Sequence, residues 1–361
     1  MTWTDEELKA MPVGEVVEKA GVAAATRVKY PGALLFTYRC SISCDHCLFG
    51  CGLSIPPRVM SAEDALEFLR QLHQTDRCVH IAGGEAFLFW DVLAEVVERA
   101  GKGGIAPHFI ESNCSWAAHD GIVRERLSRL KDWGLRGMLF SADPYHQAHV
   151  PPENFIRARA IAREIFGPQN VLCNAAPDAD IMGLPAIVRD EKRLAERVRS
   201  SPPKMVGNAA YRLGRFLPDL PLESLPLKCG WGPNVPECRG CPAEFDGKRM
   251  WEVHVDPYAN IQTNCGVILG NAKKTPVADL LRTDFAKDNP IASILAKDGP
   301  FGLLEFAKTK GCPTLTHAKQ KCHLCFLVRS YLRAFYPHIL GPEEVYYAAA
   351  AAALAYRAGG G

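Results

Sequence analysis

The stretch Ala33-Leu-Leu-Phe-Thr37-Tyr-Arg-Cys40-Ser-Ile-Ser-Cys44-Asp-His-Cys47 governs how the rest of the chain is read. An apolar run of strand length, Ala33 to Thr37, feeds a loop that has neither helical nor strand period and carries three thiols at spacings of four and three. Thiolates so placed can converge on one soft metal centre. Three ligands to a four-iron cluster leave one iron open to a small molecule, whereas a fourth Cys makes a closed electron carrier. An open iron implies catalysis. Cys51 repeats the spacing once more, and is read as a bystander rather than a fourth ligand.

From about Gly32 to Gly207, short apolar runs alternate with longer segments of helical period, the pattern of βα units around a parallel sheet. The expected strands are Ala33 to Thr37, Cys78 to Ala82, His108 to Glu111, Gly137 to Phe140, Asn170 to Asn174 and Lys204 to Gly207. The helix after the first strand starts at Ser61-Ala-Glu-Asp64, where Ser61 can cap a backbone N–H while Asp64 reaches back. Leu66, Phe68, Leu69 and Leu72 form its buried stripe. Further helices are expected over Trp90–Ala100, Gly121–Trp133, Glu153–Phe166 and Ala186–Val198. The second strand ends in Gly83-Gly84-Glu85, where two glycines permit close approach to the backbone and a carboxylate suits an ammonium group. Both features fall at the carboxyl ends of neighbouring strands, where parallel α/β folds build their sites.

These residues resemble the radical S-adenosylmethionine (SAM) superfamily: Cys40-x3-Cys44-x2-Cys47 with the aromatic His46 before the last Cys, and Gly83-Gly84-Glu85 one βα unit later, over about Gly32 to Gly207. The resemblance implies a partial (β/α)6 barrel and a [4Fe-4S] cluster whose open iron chelates SAM. It makes His46, Gly83, Gly84, Glu85, Ser112, Asn113, Ser141 and Asp143 the SAM-binding residues. Ala86 departs from the Pro usual in the family, which affects only the turn. The implied chemistry is reductive cleavage of SAM to a 5′-deoxyadenosyl radical that takes hydrogen from an inert C–H bond, with a one-electron reductant such as flavodoxin or ferredoxin as partner. Cys78, Cys114 and Cys173 read as buried small residues, although a thiol facing the barrel lumen could return a hydrogen atom to a substrate radical.

After Arg215 the chain becomes proline-punctuated, and the expected organisation is 1–31 as an N-terminal extension, 32–215 as the barrel, 216–340 as a Cys-rich domain and 341–361 as an Ala-rich helix. Cys229, Cys238, Cys241, Cys265, Cys312, Cys322 and Cys325 occupy the third segment, seven of the fourteen in the chain. Two Cys-x2-Cys units there would also make a tetrahedral zinc site. The expected hairpin from Met250 to Cys265, followed by Gly270-Asn271 and a helix near Val277, resembles the auxiliary-cluster module called SPASM or its shortened form, Twitch. The resemblance implies at least one auxiliary [4Fe-4S] cluster on these seven Cys, with Cys265 the surest ligand and Asn260 in place of the usual turn Gly.

Proteins with this arrangement often modify peptides, so the expected substrate is a ribosomal peptide or protein, with a small molecule or tetrapyrrole as the alternative. A non-catalytic zinc or iron–sulfur electron-transfer protein is the competing class. Tyr145, His146 and His149 could line the substrate mouth, and exposed loop polarity explains them equally. With 42 Lys+Arg against 40 Asp+Glu the charge is balanced, which disfavours nucleic acid as a partner. The longest apolar run, Val345 to Tyr356, is shorter than the roughly 20 residues that span a bilayer. The acidic opening Met1-Thr-Trp-Thr-Asp-Glu-Glu7 lacks the basic start of an export signal, so a cytoplasmic location is expected.

Overall fold

The computed structural model describes residues 3–174, 178–227, 237–284 and 287–343. Its centre is β1, Pro31–Thr37, every residue of which is buried. To one side lie β2 (Cys78–Gly83), β3 (Phe109–Ser112), β4 (Gly137–Phe140) and β5 (Val171–Cys173), all parallel and in that order. Near-continuous apolar runs form these strands because helices cover them. The crossover helix Ala62–His73 is capped by Ser61, whose hydroxyl accepts from Asp64 N at 3.1 Å. Asp64 does not reach back as expected: its carboxylate takes Lys273 Nζ at 2.9 Å. Phe68, Leu69 and Leu72 are buried as the pattern requires, and Leu66 is half-buried.

The expected sixth strand is not formed. Pro202 and Pro203 cannot donate to a ladder, and Lys204–Gly207 runs as irregular chain against the cysteine loop instead. Asn208 N donates to Cys47 O at 3.0 Å, and Asn208 Nδ2 to Cys44 O at 2.9 Å. Gly207 has φ +55°, and a side chain there would overlap the carbonyl oxygens of Cys47 and Leu48. Among the described residues the segment before Arg215 thus contributes five parallel strands to the sheet, and Lys204–Gly207 lies against the cysteine loop as a clamp. The helix expected over Ala186–Val198 is two, Leu184–Arg189 and Glu191–Ser200, because Asp190 leaves helical geometry and caps Lys192 N and Arg193 N. Three helices absent from the sequence reading, Asp5–Ala10, Val13–Ala20 and Val22–Val28, pack Leu8, Val16 and Val22 against Cys78 and Phe109.

The C-terminal region adds β6 (Leu220–Pro221), β7 (Val253–Val255), β8 (Asn260–Thr263), β9 (Ile268–Asn271) and β10 (His317–Ala318). β6 and β10 pair only with each other. β7 joins the free edge of β1 in parallel, Ala33 facing His254, and β8 and β9 follow antiparallel. One eight-stranded mixed sheet therefore leads to the Cys40 loop from β1 and to Cys265 from β8. The hairpin turn is built on buried Asp256, whose carboxylate accepts from Tyr258 N and Asn260 N, each at 2.9 Å. The left-handed residue is Ala259 at φ +63°, not Asn260, which already belongs to β8. The carboxylate turn sets the backbone more strongly than the preference of either residue. No described helix is long and apolar enough to cross a membrane. Cys229 and, apart from 341–343, the expected Ala-rich helix lie outside the described residues.

Candidate active site

The loop leaving β1 returns to it through an Arg39–Gly52 bridge, with Cys40 N bonded to Gly52 O at 3.4 Å. Arg39 donates to the carbonyls of Leu53 and Ile55, and Arg212 Nη1 reaches Ser43 O at 2.9 Å. So held, Cys40, Cys44 and Cys47 line one cavity of about 420 Å³, within the roughly 300–1,000 Å³ typical of small-molecule sites. Cys51 lines it too. Burial, with Glu85 as a further cause, pushes the Cys40 thiol up to about 12, and burial likewise raises Cys44. Such thiols become thiolates only when a cation compensates them, which suits a bound metal centre. Cys47 is pulled down to about 6 by the hydrogen bond from the Cys51 thiol, against burial, with help from the Cys51 backbone.

Gly83, Gly84, Ser112, Asn113, Ser141 and His46 line the same cavity. The two glycines have a structural reason besides ligand approach. Gly83 sits at φ +123°, and a side chain on it or on Gly84 would overlap the carbonyl oxygens of Thr37 and Arg39 just before Cys40. Glu85 is turned inward rather than along the cavity wall: fully buried, it accepts from Asn113 N at 2.8 Å, Ser112 Oγ at 3.1 Å and Phe87 N at 3.2 Å. Burial lifts its carboxyl to about 7, opposed by these bonds. Asn113 Nδ2 in turn donates to Cys40 Sγ at 3.4 Å. Thus Glu85 orients the pair that touches the cysteine loop.

Asp143 stands behind the wall. It caps Tyr145 N and His146 N, and its Oδ2 lies 2.7 Å from His146 Nδ1 and 3.3 Å from His46 Nε2. Although burial favours the neutral acid, the two imidazoles hold its carboxyl well below the usual range. His46 stacks on Tyr145 with centroids 4.5 Å apart, so the aromatic residue of the cysteine motif is fixed from both sides. Cys44, His46 and His146 each aim one donor atom into a group within 4.8 Å. His146 lines the cavity, Tyr145 is buried beneath His46, and His149 is exposed away from it. None of Cys78, Cys114 and Cys173 lines this cavity.

A charged group with no counterpart among the expected site residues lies at the cavity. Glu111 is the one carboxylate lining the cavity among the described residues. Behind it, buried His80 Nε2 lies 3.4 Å from Glu111 Oε1 and 3.2 Å from Glu252 Oε1, and His254 Nε2 is 3.4 Å from the same Glu252 oxygen. His80 and His254 flank Ala33 in register, and the small side chain of Ala33 leaves room for both rings. Against burial, Glu111 and Glu252 raise His80 to about 10. The available signal was polar residues at alternate positions, Glu252 and His254, in an otherwise apolar strand.

Residues 34–166 match the family model of the radical SAM superfamily. The protein is a radical SAM enzyme. The matched segment contains the whole cysteine loop and both glycines, and the match sets aside the non-catalytic electron-transfer alternative. No curated protein matches the chain. Among solved structures, the crystal structure of BtrN in complex with AdoMet and 2-DOIA aligns over 76% of this chain and 89% of its own, at 11% identity and a TM-score of 0.42. Likeness at that level carries no argument about substrate or residue roles.

Outside the radical SAM segment, Cys241, Cys265, Cys322 and Cys325 converge on a small cavity of about 40 Å³ shared with Glu244 and Arg329. Helix Lys321–Leu332 supplies two of the four at i and i+3. Cys265 comes from the turn after β8, and Cys241 is fixed through its N–H to Leu295 O at 2.8 Å. Burial, with Glu244 adding to it, holds the Cys265 thiol well above its usual range. Cys238 does not line this cavity, and its thiol donates to Gly240 O at 3.2 Å. Cys312 is buried after helix Gly299–Lys308, and is not among the lining residues. Of the six distal cysteines among the described residues, the structure brings four together.

Proposed function

We propose that this radical SAM enzyme binds its [4Fe-4S] cluster through Cys40, Cys44 and Cys47 and abstracts hydrogen from a peptide or protein substrate in an oxidative modification or crosslinking. The observation that carries the reading is the convergence of those three thiols with Gly83, Gly84, Ser112 and Asn113 on one cavity. When bound, the cluster supplies the electron that cleaves the carbon–sulfur bond of SAM. The chain's own part is to place SAM. Backbone and side-chain groups of Gly84, Ser112, Asn113 and Ser141 are available to its polar ends, Asp143 and Glu85 fix the residues that make contact, and the buried floor limits water. We assign residues 32–215 to this barrel unit and 216–340 to the second unit. The four thiols Cys241, Cys265, Cys322 and Cys325 suit a closed auxiliary [4Fe-4S] cluster. The peptide assignment rests on the resemblance of that second unit to the SPASM and Twitch modules.

Anaerobic reconstitution with iron and sulfide, followed by dithionite and SAM, is expected to yield 5′-deoxyadenosine, and a Cys47→Ala variant none. If the wild-type protein loads iron yet makes no 5′-deoxyadenosine, the reading fails. A second reading, zinc in the distal site, is favoured by its small cavity of about 40 Å³. Four thiolates are the complete ligand set of a single tetrahedral ion. Metal analysis separates the two, with about eight irons per chain for the auxiliary cluster and about four irons plus one zinc for the alternative. Because Cys51 shares the first cavity, Cys51→Ala is the companion test. A change in the cluster's EPR spectrum on adding SAM that persists in this variant leaves Cys51 a neighbour, and one that appears only in the variant makes it a competing ligand.

A further inference from the structure

Helix Lys321–Leu332 presents Cys322, Cys325 and Arg329 at i, i+3 and i+7, a single stripe along one face. All three line the distal cavity. Arg329 is only 1% exposed, and its Nη1 donates to Cys265 O at 2.7 Å. The guanidinium is therefore tied to the backbone of a third lining cysteine and spans two of the elements that form the site. The other buried cation of the helix, Lys321, is engaged elsewhere, donating to Leu227 O at 3.2 Å and Gly240 O at 2.9 Å. Glu244, which accepts from Cys265 N at 3.0 Å, is the other ionisable group besides the thiols and Arg329 on the cavity wall.

An iron–sulfur centre gains one negative charge on reduction, and its potential follows net charge, hydrogen bonding and exposure. A guanidinium is ionised at any physiological pH, and in a site sheltered from water its field is weakly screened. A fixed positive charge facing the thiols favours the reduced state over the oxidised one.

We propose that Arg329 is a positioning residue that sets the reduction potential of the auxiliary centre upward, fitting it to accept an electron. The inference rests on the auxiliary-cluster reading above. It is tested on the full-length reconstituted protein by metal analysis and EPR-monitored redox titration of wild type, Arg329→Met and Arg329→Lys. The expected result is a lower midpoint potential for the distal couple in Arg329→Met, an unchanged potential for the N-terminal cluster, and recovery of most of the shift in Arg329→Lys. An unchanged distal potential in a fully loaded Arg329→Met protein overturns the inference while leaving the auxiliary cluster intact. Should Arg329→Met fail to load the distal site, loading of Arg329→Lys with a wild-type potential supports the charge role. Failure of both variants overturns it in favour of a purely geometric one. Wild-type protein with zinc in place of the second set of irons overturns the auxiliary reading and this inference together.

Discussion

Replacing Gly207 with Ala tests whether the segment that fails to become a strand acts as the clamp on the cysteine loop. Gly207 lies at φ +55°, ψ −135°, a region in which side chains are strained, at a cost of order 1–3 kcal/mol. The new methyl group would also overlap the backbone oxygens of Cys47 and Leu48, atoms that cannot rotate aside. Overpacking of this kind typically costs about 1–3 kcal/mol, and together the terms reach about 2–6 kcal/mol against a total stability of order 5–15 kcal/mol. Relief requires the segment to retreat, breaking the bonds from Asn208 to Cys47 O at 3.0 Å and to Cys44 O at 2.9 Å. Both acceptors belong to proposed cluster ligands, so the expected outcome is a lower melting temperature together with reduced iron and sulfide loading at the N-terminal site. Gly121→Ala is the control, since a side chain there meets nothing within 4 Å. If Gly207→Ala melts and loads like wild type, the clamp is not what positions Cys44 and Cys47.

Single Ser replacements of Cys241, Cys265, Cys322 or Cys325 are expected to remove the distal metal, lowering the iron count from about eight towards four. Cys238→Ser and Cys312→Ser, whose thiols lie outside that cavity, are expected to keep it. His80 makes stability depend on alkaline pH: its folded value of about 10 exceeds the unfolded value near 6.5, so its contribution is complete below about pH 6.5 and fades as pH rises through about 10. Thermal melts from pH 7 to 10 should therefore fall more steeply for wild type than for His80→Gln, and parallel curves would refute this. Tyr38→Phe removes one hydrogen bond each from the buried Asp256 and Gln262, which the Tyr38 hydroxyl joins at 3.0 and 2.8 Å. A loss of about 2–4 kcal/mol in urea unfolding is expected, and a loss under about 0.5 kcal/mol would show that water replaces the hydroxyl.

Much of the first site was legible because its chemistry is local. The spacing of Cys40, Cys44 and Cys47 fits one loop, and Gly83-Gly84 follows one βα unit later. The apolar runs located the first five strands. The sixth expected strand does not form because Pro202-Pro203, just ahead of it, lack two donors in succession. Residue preference favours Asn260 as the left-handed turn residue, whereas the bonds to the Asp256 carboxylate place it at Ala259. That four of the described distal cysteines share a cavity is a tertiary fact. Cys241 and Cys325 are 84 positions apart, and no local pattern encodes which of the intervening thiols points the same way. The charged layer of Glu111, His80, Glu252 and His254 is hidden for a similar reason, since its members come from three strand regions and meet only in the folded sheet.

β1 gives these scattered pieces a common mechanical frame. Its carboxyl end delivers Cys40, and its two edges pair with β2, which ends in Gly83, and β7, which opens the hairpin leading to Cys265. Tyr38, two residues before Cys40, bonds to Asp256 in the hairpin turn and to Gln262 on β8. A displacement of the hairpin is therefore felt at the cysteine loop through both the ladder and this hydroxyl, since packed interiors transmit strain rather than absorb it. Two separately folded units joined by a linker would vary in mutual placement. A single sheet holds the Cys40 loop and Cys265 in one frame, as a reaction needs if it generates a radical at one site and passes the electron to the other.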